Sequence, residues 1–188
     1  MSVMIRRLTG PEFSVLAPEL VDIYIEAMGY SPSIRLQRIH VWRREIAQPG
    51  FTALIAQLDD QVVGVTYGFL GSSDRWWDKQ LRRGFEEAGG ATPEQLELLR
   101  SYFEVAEIHV APKLQVRGIG RRLITELLWN APASYVALST PEVENENNPA
   151  FGLYRSLGFK DVLRHFYYQG DERPFAVLGR SLPLDAKN

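Results

Sequence analysis

The chain has 188 residues, 45% of them apolar, with a formal charge of −2 and no cysteine. This composition suits a globular protein. It excludes a disordered chain, a general nucleic-acid binder with a basic face, a disulfide framework, a thiolate metal site and a cysteine nucleophile. The longest apolar runs are far too short to span a bilayer and no signal peptide precedes Ile5, so a soluble, cytoplasmic protein without membrane or nucleic-acid partners is expected.

Val3 to Leu8 reads as a first strand. Thr9 can cap a helix that starts near Pro11, because proline is welcome in a first turn. Phe13, Leu16, Leu20, Ile23, Tyr24 and Ala27 recur at helical spacing, and Gly29 is a natural C-cap. A second helix is expected from about Ser33 to Ala47, with Ile34, Ile39, Trp42 and Ile46 inward, ended by Pro49-Gly50. Phe51 to Leu58 and Gln61 to Leu70 read as an antiparallel hairpin around Asp59-Asp60. Gly64 and Gly68 in its second strand mark a bulge, a close ligand approach or tight packing against a helix.

The stretch from about 71 to 101 interrupts the strand series. Asp74 to Glu87 looks helical, Gly89-Gly90 is a break, and Thr92-Pro93-Glu94 opens a short helix. Trp76, Trp77 and Phe85 either anchor this stretch or wall a substrate pocket. Glu104 to Val110 then reads as a strand that Pro112 stops, since proline has no N–H to pair. Gln115-Val116-Arg117-Gly118-Ile119-Gly120 leads into a helical pattern of Leu123, Ile124, Leu127 and Leu128. Such a loop points several backbone N–H groups at one spot that suits a phosphate. Arg117, Arg121 and Arg122 crowd the helix start with no acid before Glu126. The helix dipole disfavours cations there, so a bound anion or simple exposure to water accounts for them.

Ser134 to Ser139 reads as a strand, followed from Thr140-Pro141 by an acidic, Asn-rich loop, Glu142 to Asn148. A helix carrying Tyr154 follows. Phe159 to Gln169 and Pro174 to Leu182 form a closing strand pair, and 183–188 a tail. No repeat and no long linker appears, so residues 1–188 are read as one domain with a helical insertion at about 71–101. The order is β-α-α-β-β-(insert)-β-α-β-α-β-β, which indicates a mixed sheet flanked by helices.

Two blocks carry a resemblance. Gln-x-x-Gly-x-Gly after a strand ending in Val-x-Pro resembles the acetyl-CoA loop of the GCN5-related N-acetyltransferases, the GNAT superfamily. Asn147-Asn148-Pro149-Ala150-Phe151-Gly152-Leu153-Tyr154-Arg155-Ser156-Leu157-Gly158-Phe159 matches that family's Asn-x-x-Ala-x-x-Leu-Tyr-x-x-x-Gly-Phe helix, at the expected distance downstream. The resemblance implies an α/β fold of the α+β type, with a mixed, mostly antiparallel central sheet and flanking helices. It implies that the strand before Pro112 and the strand at 134–139 splay apart around acetyl-CoA. It implies an acetyl-CoA-dependent N-acetyltransferase, with acetyl-CoA as cosubstrate and no metal. The acceptor is a primary amine of a small molecule or peptide, attacking directly in a ternary complex. A homodimer stays open.

Under that resemblance the N–H groups of Val116, Arg117, Gly118, Ile119, Gly120 and Arg121 hold the pyrophosphate, with Gln115 opening the motif. Backbone groups of Ile108, His109 and Val110 hold the pantetheine arm and polarise the thioester carbonyl. Tyr154 is the candidate acid for the departing thiolate. Asn147 matches a coenzyme-contacting position, or caps the helix. Glu107 and Glu104 are candidate bases. Residues three apart on a regular strand face opposite sides, so both point into one site only if a bulge intervenes. His109 has an intrinsic pKa suited to proton transfer, and packing in the strand is its equal reading. A water chain in place of any single base also stays open.

Other readings are weaker. Gly118 to Leu123 lacks the third glycine of a dinucleotide fingerprint, and no Gly-Lys-Ser/Thr follows as a P-loop would require. The alternative from another class is a non-catalytic coenzyme A or acyl-CoA sensor. Glu142, Glu144 and Glu146 either draw a cationic amine to the site or form a solvated acidic loop.

Overall fold

The computed structural model describes residues 2–115 and 117–185. Val116 and residues 186–188 of the tail, on which part of the sequence reading falls, lie outside these. The strands are β1 (Met4–Leu8), β2 (Thr52–Leu58), β3 (Gln61–Leu70), β4 (Tyr102–Val110), β5 (Tyr135–Pro141), β6 (Lys160–Phe166) and β7 (Phe175–Ser181). The α-helices are α1 (Gly10–Met28), α2 (Arg35–Glu45), α3 (Trp76–Glu87), α4 (Pro93–Arg100), α5 (Ile119–Leu128) and α6 (Pro149–Ser156). Their order along the chain is the expected one. The seven strands form one sheet in the order β1-β2-β3-β4-β5-β7-β6. The pairings β1/β2, β2/β3, β5/β7 and β6/β7 are antiparallel, and β4/β5 is parallel.

These elements divide into two compact units. One comprises Met1–Phe69 and Val105–Trp129, the other Leu70–Glu104 and Asn130–Asn188. β4 therefore starts in the second unit and finishes in the first.

In the first unit, α1 begins with a reciprocal cap. The Thr9 hydroxyl accepts the Glu12 N–H at 3.2 Å, and the Glu12 carboxylate accepts the Thr9 N–H at 3.0 Å. Gly29, left-handed at φ 67°, closes the helix. The apolar stripe Phe13, Ala17, Leu20, Val21 and Tyr24 packs with Ile39 and Trp42 of α2 on Ala53 and Ile55 of β2 and Val65, Tyr67 and Phe69 of β3. Alternation puts the odd-numbered residues of β2 and β3 on this face. α2 starts at Arg35 rather than Ser33, because Pro32–Ile34 makes a 3-10 turn first.

The hairpin turns on Asp59 and Asp60, both with positive φ, as a two-residue loop of right-handed twist requires. The β2/β3 register slips between Ala56 and Gln57, opposite Gly64. A Cβ at Gly64 would lie 3.2 Å from Leu123 Cδ1 of α5 and 3.3 Å from the His109 carbonyl oxygen. Gly64 thus combines a bulge with tight helix packing.

In the second unit, α3 packs Leu81 and Phe85 against Leu163, Phe166 and Tyr168. α4 carries a second reciprocal cap, Thr92 with Gln95, and brings Leu98 to Tyr102 and Ala137. β5 runs to Pro141, two residues beyond the expected end at Ser139, because β7 pairs with it as far as Phe175. Pro141 sits at the strand's last position, where a missing N–H costs little.

Candidate active site

The second half of β4 lies in the first unit. Ala106 packs against the α1–α2 core, and the His109 ring stacks edge-on against Tyr24 of that core, with centroids 5.0 Å apart. A regular strand would turn residues three apart to opposite faces. Both meet the same core, so the alternation breaks between Ala106 and His109, as at a bulge. Glu107 and His109, two residues apart, meet through their side chains. His109 Nε2 lies 2.5 Å from Glu107 Oε2, with the side chains 9% and 20% exposed. The Thr66 hydroxyl donates to the Glu107 carbonyl at 2.8 Å, and the Ala111 N–H donates to the Val63 carbonyl at 2.8 Å.

Beyond β4, Pro112–Leu114 forms a 3-10 turn, and the Gln115 side-chain amide reaches back to the Val110 carbonyl at 3.1 Å. Gln115 therefore braces the loop against the strand. Gly118 is left-handed at φ 79° and stands immediately before α5, which has no side-chain cap and no acid in its first turn. The first helical bond runs from the Arg122 N–H to the Gly118 carbonyl. The N–H groups of Ile119 and Gly120 stand ahead of that bond, at the first positions of the helix. Arg117 and Arg121 are exposed here. Arg122, read with them as a candidate anion ligand, instead donates to the Val3 carbonyl at 2.8 Å and ties α5 to the chain's first residues. Val116 lies outside the described residues.

The second unit holds Glu104, Asn147 and Tyr154. β4 pairs in parallel with β5 over Tyr102–Glu104 against Tyr135–Ala137. Glu104 is 8% exposed and lies 3.6 Å from the Arg75 guanidinium. Two places along the strand's edge, the Tyr102 hydroxyl donates to Asp78 at 2.7 Å, and the Asp78 carboxylate is in turn 2.6 Å from Arg82. Burial and Asp78 hold the Tyr102 hydroxyl firmly protonated, well above the usual phenol range. Trp77 donates its indole N–H to the Tyr168 hydroxyl at 2.9 Å, and that hydroxyl donates to Ser139 at 2.7 Å. Burial pushes the Tyr168 pKa up to about 12. Trp77 is therefore an anchor. Trp76 is 54% exposed, its ring 5.8 Å from that of Tyr168.

α6 is capped by Asn148, whose side chain accepts the Phe151 N–H at 2.9 Å. The cap is thus not Asn147, which is exposed and whose N–H goes to the Glu144 carbonyl. Tyr154 is 6% exposed, with its ring 5.8 Å from Phe159. Two of the loop's three glutamates, Glu142 and Glu146, are paired with arginines. Arg155 spans Glu146 through both carboxylate oxygens, at 2.8 and 2.9 Å, and also meets Asp161. Arg164 spans Glu142 in the same way, at 2.7 and 2.8 Å, and reaches Glu146 at 2.9 Å. Asn145 and Glu146 sit at φ 55° and 54°, a region that costs a non-glycine residue about 1 kcal/mol or more each. The two arginines hold that conformation. Sequence reading missed Arg155 and Arg164 because the glutamates they hold lie 9 to 22 residues away, beyond any local pattern.

Among the described residues no group of three His, Cys, Asp or Glu side chains could hold a metal, and no helix is long and apolar enough to cross a membrane.

Comparison with known proteins gives the family. Residues 17–159 match the model of the acetyltransferase (GNAT) family. A GCN5-like protein acetyltransferase of Mycobacterium tuberculosis is 34% identical over 88% of this chain and 91% of its own length. An N-alpha-acetyltransferase of the same organism is 50% identical over 36% of this chain and 41% of its own. The fold of an N-acetyltransferase from Thermoplasma acidophilum, solved in complex with coenzyme A, superposes with a TM-score of 0.60 over 97% of this chain and all of the other, at 15% identity. The chain belongs to the GNAT family and is an acyltransferase. Enzymes of this family use acetyl-CoA.

Proposed function

We propose that the protein transfers an acetyl group from acetyl-CoA to a primary amine, by direct attack within a ternary complex. The whole chain acts as one catalytic domain, with 71–101 as its insertion. The observation that carries this reading is the start of α5, which has no side-chain cap and no acid in its first turn and follows the left-handed Gly118. A helix start behind a left-handed glycine offers N–H donors to phosphate.

Acetyl-CoA supplies an activated thioester carbonyl. The N–H groups of Ile119, Gly120 and Arg121, with Val116, Arg117 and Gly118 before them, hold the pyrophosphate, and the Arg117 or Arg121 guanidinium adds charge. Gln115 keeps this loop in register. Asn147, left uncommitted by the helix cap, contacts the coenzyme. Backbone groups of Ile108, His109 and Val110 orient the thioester and polarise its carbonyl. Glu107 takes the proton that leaves the amine. Glu104 is the weaker candidate, since Arg75 already answers its charge. Tyr154 gives its hydroxyl proton to the departing thiolate.

The acceptor is a small-molecule or peptide amine. The relative matched over nearly the full chain is named for protein acetylation, which favours an amine presented by a peptide or protein. Coenzyme A release, measured with acetyl-CoA and a panel of peptides with free N-termini, lysine peptides and small amines, tests the proposal. Turnover with at least one class is expected. Acetyl-CoA binding without release for any of them would favour a non-catalytic sensor instead.

A further inference from the structure

We infer that Arg155 and Arg164 are positioning residues for the coenzyme, acting through Asn147: their ion pairs hold the 142–148 loop in a strained conformation that presents the Asn147 amide. This rests on the acetyl-transfer reading above, in which Asn147 contacts the coenzyme. It adds two arginines that need touch no substrate themselves.

The loop is wound tightly just before Asn147. Asn145 and Glu146 are both left-handed, at φ 55° and 54°. Two successive non-glycine residues persist in this region only where their surroundings impose it. The backbone turns back on itself there. The Glu146 N–H donates to the Val143 carbonyl at 3.2 Å, the Asn147 N–H to the Glu144 carbonyl at 3.0 Å and the Asn148 N–H to the Glu146 carbonyl at 3.0 Å. The Asn148 side chain then caps α6. The Asn147 backbone is thus fixed from both sides. Its side chain is exposed and meets no protein partner among the described residues, so its amide is left for a ligand.

Charge from α6 and β6 imposes this conformation. Glu146, the residue before Asn147, receives the Arg155 fork and a further bond from Arg164. Arg164 closes its own fork on Glu142, at the other end of the loop. Asp161 meets both arginines, and Arg155 also donates to the Phe159 carbonyl at 3.1 Å. A lone ion pair at a half-exposed site would hold little. Forked pairs shared among Glu142, Glu146, Arg155, Asp161 and Arg164 fix geometry, because each side chain is already ordered by another contact. Without the clamp the loop relaxes, only a fraction of molecules presents the Asn147 amide, and apparent coenzyme affinity falls by that fraction. No step of the chemistry passes through the arginines, so the catalytic rate is not their business.

A double-mutant cycle, read by isothermal titration with acetyl-CoA and by steady-state kinetics, tests this. Asn147→Ala should weaken acetyl-CoA binding by about tenfold, as expected for one or two lost hydrogen bonds. Arg155→Gln should weaken it by about fivefold and raise KM for acetyl-CoA in proportion, with kcat and KM for the amine within about twofold of wild type. Arg155→Lys keeps the charge but loses the fork, and should cost about twofold. In the Asn147→Ala background neither Arg155 variant should weaken binding further. Equal losses in both backgrounds would overturn the inference, because a mere loss of positive charge or of folding stability acts independently of Asn147. Wild-type affinity in Arg155→Gln, or in Asn147→Ala, would overturn it as well. Should Arg155→Gln not fold, the same cycle with Arg155→Lys decides. A wild-type protein that binds no acetyl-CoA would instead sink the acetyl-transfer reading itself.

Discussion

In the proposed reaction, Tyr154 and Gly118 are the single residues to test, one for the chemistry and one for the cofactor site. Tyr154 lies on a helix whose start is secured by Asn148 and whose ring packing involves Phe159. Tyr154→Phe keeps that packing and deletes the hydroxyl. Turnover should fall by about 10²-fold or somewhat less, since a thiolate is already a fair leaving group. Affinity for acetyl-CoA should barely change, because the hydroxyl acts on charge that develops only during reaction. Wild-type turnover in this variant, where chemistry limits the rate, would remove Tyr154 from the mechanism. At Gly118 a Cβ would meet nothing within 4 Å, so the site tolerates bulk sterically, and the left-handed φ of 79° is what favours glycine. Gly118→Asp places a negative side chain where phosphate is expected. Isothermal titration should show acetyl-CoA binding at least tenfold weaker, and unchanged binding would refute the loop assignment.

At the scale of elements, α3 carries two adjacent tryptophans with different duties. Trp77 is tied to Tyr168 through its indole N–H and stacks near Tyr102, 6.0 Å away. Trp77→Ala should destabilise the fold by about 3 kcal/mol through lost burial and a lost hydrogen bond to Tyr168, read by denaturant unfolding. Trp76 is mostly exposed, and Trp76→Ala should leave stability within about 0.5 kcal/mol while changing KM for the amine. An unchanged KM would make both tryptophans purely structural. The 142–148 loop is held differently, by charge. The hydrogen bond from Arg155 lowers the Glu146 pKa to about 2, and that from Arg164 lowers Glu142. A carboxylate whose folded pKa lies below its unfolded value of 4.5 contributes stability that is present above that pH and lost as pH falls toward about 2. Melting temperature should therefore decline between about pH 4.5 and 2, and Arg155→Gln should flatten part of that decline. An identical slope in the variant would remove the ion pairs from the acid response.

For the molecule as a whole, a ligand that binds only the native state stabilises it by mass action. At a hundred times its dissociation constant, acetyl-CoA should add about 2.7 kcal/mol, or roughly 5–10 °C in melting temperature for a chain of this size. Absence of any shift at saturating acetyl-CoA would contradict the cofactor assignment. The sequence by itself determined the element order, the caps at Thr9 and Thr92, the Asp59-Asp60 turn, the helix that follows Gly118 and the helix that carries Tyr154. Each of these is written within about ten consecutive residues, where propensity, capping and backbone conformation act locally. Only the tertiary structure decided the rest. Arg122 is spent on the Val3 carbonyl, Glu142 and Glu146 on Arg164 and Arg155, and Trp77 on Tyr168. A side chain's charge or hydrogen-bonding group is visible in the sequence. Its partner is not, because the partner is brought to it by distant segments, and it is the partner that separates a structural residue from one left for a substrate.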